Sequence, residues 1–194
     1  MVDFLNRYLK DLKSTLDNVN YIDIEKIIKA LESTIEKNSK IYVIGNGGSS
    51  ATASHMANDL GVGLRRRDII NFNIVSLGDN SAVTSAIAND IGFENIFYMQ
   101  LENILKPEDV MIAISCSGNS PNIIKAVDYA REIGSTIVGV TGFDGGKLKE
   151  VCDINFHVDA PKGEYGLVED VHMILDHIIY SYYIDLDKKN TIEK

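Results

Sequence analysis

A chain of 194 residues with 45 % hydrophobic side chains can enclose one full core, and its composition excludes a disordered or fibrous protein. The 28 acidic and 19 basic residues leave a formal charge of −9, which excludes wrapping of nucleic acid, because a phosphate backbone needs a basic face. No apolar run reaches the ~18 residues of a membrane span, and the amphipathic, charged start from Met1 to Leu12 does not read as a signal peptide, so a cytoplasmic location is expected.

In chain order, residues 3–36 predict one or two helices. Phe4, Leu5, Tyr8, Leu9 and Leu12 recur at helical spacing, then Ile24, Ile27, Ile28, Leu31 and Ile35, with Asp23 as a candidate N-cap. From Lys40 the pattern alternates. Ile41–Ile44 predicts a strand, Ser49 to Leu60 a helix, Ile69–Leu77 a strand, residues 81–88 a helix and Phe93–Leu105 another. Val110–Ile114 predicts a strand, Pro121–Ile133 a helix opened by proline, Thr136–Thr141 a strand, Gly145–Val151 a short helix and Ile154–Val158 a fifth strand. Val168 to about Asp185 predicts a long apolar helix. Alternating β and α elements with apolar, β-branched strands imply an α/β fold in three layers around a doubly wound, mainly parallel five-stranded sheet. No linker divides residues 1–194, so one domain is expected: helices over 1–38, the α/β core and terminal helix over 40–194.

Two loops carry the chemistry. Gly45-Asn46-Gly47-Gly48-Ser49-Ser50 and Ser115-Cys116-Ser117-Gly118-Asn119-Ser120 each leave a strand and open a helix. Backbone N–H groups at the positive end of a helix, beside hydroxyls, suit a phosphate, and ligands of open parallel sheets bind at the carboxyl ends of strands. A dinucleotide fingerprint fits poorly, since Ser50 stands where its third glycine belongs, although Asp79 follows the next strand. A P-loop fails for want of a lysine after Gly48. Cys116 reads as a small filler of a tight turn, with a nucleophile as the alternative that lacks an adjacent base. Arg65-Arg66-Arg67 reads as a solvated loop or a contact for substrate or partner.

On the helix leaving the first loop, His55 and Asp59 are spaced i, i+4 and share a face, where they can share a metal or a proton. Glu169 and His177, eight apart, face one region of the last helix. His172 stands at a poor angle to His177, and His157 falls on a strand as a structural residue.

Gly45-Asn46-Gly47-Gly48-Ser49, Ala88-Asn89-Asp90-Ile91-Gly92-Phe93 and Ser115-Cys116-Ser117-Gly118-Asn119-Ser120 together resemble the sugar isomerase (SIS) domain family, over nearly the whole chain. Within it the chain is similar to the branch that isomerises phosphorylated heptoses. The resemblance implies that Ser49, Ser115, Ser117 and Ser120 hold a phosphate with Asn46 and the Gly47 backbone. It places Asn89 and Asp90 near the sugar, where an Asx turn closing a helix is the other reading. It assigns His55, Asp59, Glu169 and His177 to a divalent metal, zinc in some members, with Asp59 as base and His177 as acid. Asp59 stands where the family has Glu, and Glu169 where it has Gln. Gly61-Val62-Gly63 replaces a segment with a basic residue, and Tyr165-Gly166-Leu167-Val168 lacks an Asp-Arg pair.

The implied activity is aldose–ketose isomerisation of a sugar phosphate through an enediol, sedoheptulose 7-phosphate being the expected substrate, in a homotetramer. The alternatives are an isomerase for another sugar phosphate, or a non-catalytic SIS module that binds a sugar phosphate or protein partner.

Overall fold

A computed structural model describes residues 1–192; residues 193 and 194 of the expected domain lie outside them. Five parallel strands form one sheet in the order β2-β1-β3-β4-β5: β1 (Ile41–Gly45), β2 (Ile74–Ser76), β3 (Val110–Ser115), β4 (Thr136–Gly142) and β5 (Ile154–Val158). The apolar runs of β1, β3 and β4 are buried on both faces. Ile41, Val43, Ile112, Val138 and Val140 point into one core, with α2 (Tyr21–Glu36), α3 (Gly48–Met56) and α8 (Tyr165–Ile192). Tyr42, Ile44, Met111, Ala113 and Ile137 point into the other, with α5 (Tyr98–Leu101), α6 (Pro121–Ile133) and α7 (Gly146–Val151). The period-2 alternation of strand side chains therefore feeds two apolar layers, which gives the expected three-layer, doubly wound architecture.

The strand order reverses between β1 and β3, which pair from Ile41↔Val110 to Gly45↔Ile114. Both glycine-serine loops leave the carboxyl ends of these two neighbours. A crevice opens there because the following connections diverge to opposite sides of the sheet.

Several elements differ from expectation. The N-terminal region is two helices, α1 (Val2–Asp17) and α2, split at Asn18–Asn20, and the side chain of Asn20, rather than of Asp23, caps α2. β2 is three residues long instead of spanning Ile69–Leu77, because its only partner is the five-residue β1 at the sheet edge. Ile69, Ile70 and Phe72 still turn into the core without joining the ladder. The span Phe93–Leu105 keeps Ile96, Phe97, Leu101 and Leu105 buried, but extended backbone at Glu102 ends α5 after a single turn. α4 runs Ser81–Ile91, and α8 starts at Tyr165 and reaches Ile192, longer at both ends than Val168–Asp185.

The helix after the first loop changes pitch. α3 ends at Met56 and a π-helical turn covers Ala57–Gly63. A Cβ at Gly61 would lie 2.9 Å from Ile74 Cγ2, and one at Gly63 would lie 3.1 Å from the Tyr180 ring. The Gly61-Val62-Gly63 departure is thus a packing solution that lets the wide turn lie close to β2 and α8. Arg65, Arg66 and Arg67 follow as an exposed turn, with the Arg67 guanidinium over the Tyr180 ring.

Candidate active site

The first loop is shaped by Gly47, whose φ of +53° is a left-handed value that favours glycine. α3 begins at Gly48 with no side-chain cap, so first-turn N–H groups remain to meet an anion. In the second loop the Ser115 hydroxyl accepts the Gly118 N–H at 3.1 Å, and the Ser117 hydroxyl accepts the Asn119 N–H at 3.4 Å. Gly118 has φ +61°, and a Cβ there would collide with the Gly145 carbonyl, so this turn is locked against the loop before α7. Ser120 caps α6 without using its hydroxyl, which stays available.

A cavity of about 170 Å³ lies between the loops, lined by Asn46, Ser49, Ser115, Ser117, Ser120 and Glu169 among others. The four expected phosphate-binding serines therefore meet in one place. Asn46 lies at the wall, but its amide is committed to a reciprocal pair with Asn122: each Nδ2 donates to the other's Oδ1, at 2.9 and 2.8 Å. The pair ties the first loop to the start of α6. Asn122, 1 % exposed, went unnoticed in the sequence; a polar residue directly after the proline that opens α6 was the available signal.

Asn89 and Asp90 are not part of this lining. They are exposed near the end of α4 and paired with each other, Asn89 Nδ2 donating to Asp90 Oδ1 at 2.8 Å. Within the chain α4 buries no residue, so nothing carries its end to the cavity. Asp79 is likewise engaged, accepting from the Ser54 and Ser76 hydroxyls. Cys116 is 5 % exposed, and burial, reinforced by the charge of Glu169, pushes its thiol up to about 11. At neutral pH it is a protonated filler of the turn.

Further along the same helices lies a second cluster. His55 Nε2 stands 3.4 Å from Asp59 Oδ2, 3.8 Å from Asp176 Oδ2 and 3.2 Å from His177 Nε2. The i, i+4 pair and His177 thus meet as the spacing predicted. Two imidazole Nε2 atoms facing each other need a proton or a cation between them, since two lone pairs repel and two N–H groups clash. Ligand atoms of His55, Asp59, Asp176 and His177 all lie within 4.8 Å of one another. Nitrogen and carboxylate donors in this number suit zinc or another divalent ion.

Glu169 is not in that cluster. Its carboxylate packs on the start of α3, where a Cβ on Gly48 would collide with it, and it lines the serine cavity. Eight residues advance an α-helix by about 12 Å, so a side chain at 169 reaches His177 only by lying extended along α8. Here it turns instead to the positive end of α3, which favours a carboxylate. Asp176 occupies the cluster in its place. It is fully buried, neither carboxylate oxygen has a hydrogen-bond partner among the described residues, and burial, then the Asp59 charge, pushes it up to about 7. The signal for it was an acid inside the apolar run from Met173 to Ile179.

His172 and His157 are structural. His172 is 1 % exposed with Nε2 3.1 Å from the Thr141 carbonyl, and burial lowers it to about 4. His157 Nδ1 meets the Thr141 hydroxyl at 3.0 Å, and burial lowers its pKa as well.

Gly48 faces Glu169 and His55 faces His177, so α3 and α8 run side by side in the same direction. Their N-terminal ends form the serine cavity, and the histidine cluster sits about 9 Å further along α3, counted from Ser49 to His55.

Known proteins share this plan. A family model described as the SIS domain matches residues 6–142. The phosphoheptose isomerase of Trichlorobacter lovleyi is 37 % identical over 158 residues, 80 % of each chain. That of Fusobacterium nucleatum is 39 % identical over 157 residues, 81 % of this chain and 79 % of its own. The solved structure of a phosphoheptose isomerase from Neisseria gonorrhoeae superposes with a TM-score of 0.83 at 24 % identity, over 94 % of this chain and 98 % of that one, a match in fold.

Proposed function

Because the chain belongs to the SIS-domain family, beside its phosphoheptose isomerases, we propose that it converts sedoheptulose 7-phosphate into D-glycero-D-manno-heptose 7-phosphate as an aldose–ketose isomerase. The observation that carries this reading is the pairing of α3 and α8. One pair of parallel helices offers an anion cradle at its start and an acid–base cluster at a distance that a seven-carbon chain can bridge.

The phosphate takes the serine cavity, held by the hydroxyls of Ser49, Ser115, Ser117 and Ser120 and by the first N–H groups of α3, with no lysine needed. Asn46 and Asn122 keep the two loops in register. At the other end Asp59 removes a proton from the carbon beside the carbonyl, and the electron pair forms the enediol double bond. His177 gives a proton to the carbonyl oxygen as that bond forms. Return of the proton to the former carbonyl carbon, with loss of the hydroxyl proton on the carbon first deprotonated, whose oxygen becomes the new carbonyl, completes the isomerisation. His55 links the base and the acid, its Nε2 lying 3.4 Å from Asp59 Oδ2 and 3.2 Å from His177 Nε2.

The cluster would also fit a divalent ion, zinc in our reading, held by His55, Asp59 and His177, with Asp59 and His177 released from it when they act as base and acid. Such an ion supplies polarisation of the sugar oxygens. A module that merely binds sugar phosphates has no use for these three side chains in contact.

We also assign a homotetramer, in which neighbouring subunits cover what one chain leaves bare. Phe4, Leu5 and Leu9 on α1 are exposed, as are Ile178, Tyr182 and Leu186, which follow each other at i, i+4 spacing on α8. Light scattering should give about four times the 21.5 kDa chain mass. No helix among the described residues is long and apolar enough to cross a membrane, which agrees with a cytoplasmic assignment.

The deciding experiment is turnover of sedoheptulose 7-phosphate in deuterated water, with and without chelator. The expected result is heptose 7-phosphate carrying solvent deuterium. Neither turnover nor exchange would overturn the isomerase assignment. Exchange with a different sugar phosphate alone would move it to another isomerase of this family.

A further inference from the structure

We propose that Asp176 is a metal ligand of this site, completing a set of two histidines and two aspartates with His55, Asp59 and His177, and that Glu169 is not a ligand. The proposal rests on the metal-binding reading of the histidine cluster and replaces the fourth ligand that the resemblance to the family implied.

The first argument is what Asp176 is buried with. It lies on α8 between Leu175 and Ile179, both in the core, and is itself fully buried. Both its oxygens lack a hydrogen-bond partner among the described residues. Leaving a carboxylate unpaired in such a place is costly, and an apolar residue would pack there without penalty. A divalent ion supplies a direct partner for one of its oxygens and a countercharge for the carboxylate as a whole.

The second argument is geometric and independent of burial. Four ligand atoms about 2.0–2.2 Å from one tetrahedral ion lie roughly 3.3–3.6 Å from each other. The edges around His55 Nε2 are 3.2 Å to His177, 3.4 Å to Asp59 and 3.8 Å to Asp176. No rearrangement of helices is needed to bring the four onto one centre. Glu169 by contrast sits beside Gly48, seven residues before His55, where its carboxylate faces the positive end of α3 and the serine cavity.

The third argument is one of charge. Two neutral imidazoles and two carboxylates neutralise a divalent cation, so the buried Asp176 charge is cancelled within the cluster and not exported to the surrounding core.

The test is zinc(II) binding to the full-length metal-free protein, measured by competition with a chromophoric chelator, for wild type, Asp176→Asn, Asp176→Leu and Glu169→Gln. Loss of an outer-shell partner weakens metal sites 10–100-fold, so loss of a direct ligand in Asp176→Asn should cost roughly 100-fold or more. Glu169→Gln should bind zinc within about threefold of wild type. Melting curves without metal give a second readout. Removal of an orphaned buried carboxylate should leave metal-free Asp176→Leu at least as stable as wild type, while the upward shift in Tm on adding zinc disappears.

Unchanged zinc affinity in Asp176→Asn would overturn the proposal, as would equal losses in Asp176→Asn and Glu169→Gln, or a wild-type protein that takes up no zinc. Isomerase turnover is assayed separately. Zinc binding without turnover leaves this ligand set standing and removes the isomerase reading, and turnover without zinc binding does the reverse.

Discussion

The serine end and the histidine end of the site share two helices but are satisfied to different degrees. At the serine end the loops are already tied down: Ser115 and Ser117 accept backbone N–H groups and Asn46 and Asn122 bind each other, while the Ser120 hydroxyl and the first N–H groups of α3 stay available. The loops are held open by backbone shape, with left-handed glycines at 47 and 118. At the histidine end two ring nitrogens face each other and a buried carboxylate has no partner. One end is preorganised to receive a charge that stays constant through the reaction. The other is left unsatisfied, and in a low-dielectric site such groups interact strongly with whatever proton or cation arrives.

The contrast can be broken most sharply at Asp59. Asp59→Asn should lower turnover roughly 1,000-fold, within the range for a general base, while sugar phosphate binding measured by calorimetry changes little. Retained turnover would remove Asp59 as the base.

Ser120→Ala tests the other end. A hydrogen bond to a charged group contributes about 1.5–3 kcal/mol, so affinity for the sugar phosphate should fall about 10–100-fold, with zinc affinity untouched. An equal loss of zinc would mean that the two ends are not separable.

Asn122→Ala should act on stability and alignment together. It removes one side of the amide pair and leaves Asn46 unsatisfied, costing about 1–3 kcal/mol in denaturant unfolding, with a raised KM. Unchanged unfolding would show that the loops hold themselves in place.

A further test concerns neither end. His172 is lowered by burial to about 4, against 6.5 for an ordinary histidine, so the unfolded chain takes up its proton first. Stability from this group is complete above about pH 6.5 and is lost as the pH falls toward 4. Denaturant unfolding at pH 7 and 4.5 should show that loss in wild type and a smaller one in His172→Leu. Equal losses would assign the acid sensitivity to other groups.

Five apolar strand runs, the helices between them and the two small-residue loops were legible in the sequence, because strand burial on both faces and loop chemistry are local properties. So were His55 and Asp59, since one helical turn fixes their common face. Position along the chain did not disclose which side chains on α8 meet α3. Glu169 and Asp176 are both acids on one helix, and the packing of that helix decides which turns to Gly48 and which to His55. The Asn46–Asn122 pair spans residues far apart in sequence, and no local pattern announces it.

The sequence by itself therefore determined the three-layer fold, the two small-residue loops and the common face of His55 and Asp59, all of which follow from periodicity and local chemistry. The acid and base roles of His177 and Asp59 are implied by the resemblance to the family. Only the tertiary structure decided the shortness of β2, the placing of Asn89 and Asp90 away from the cavity lining, and the placing of Asp176 beside His55 and of Glu169 beside Gly48. Each of these depends on where separate elements come to rest against one another, and that is set by packing of the whole core.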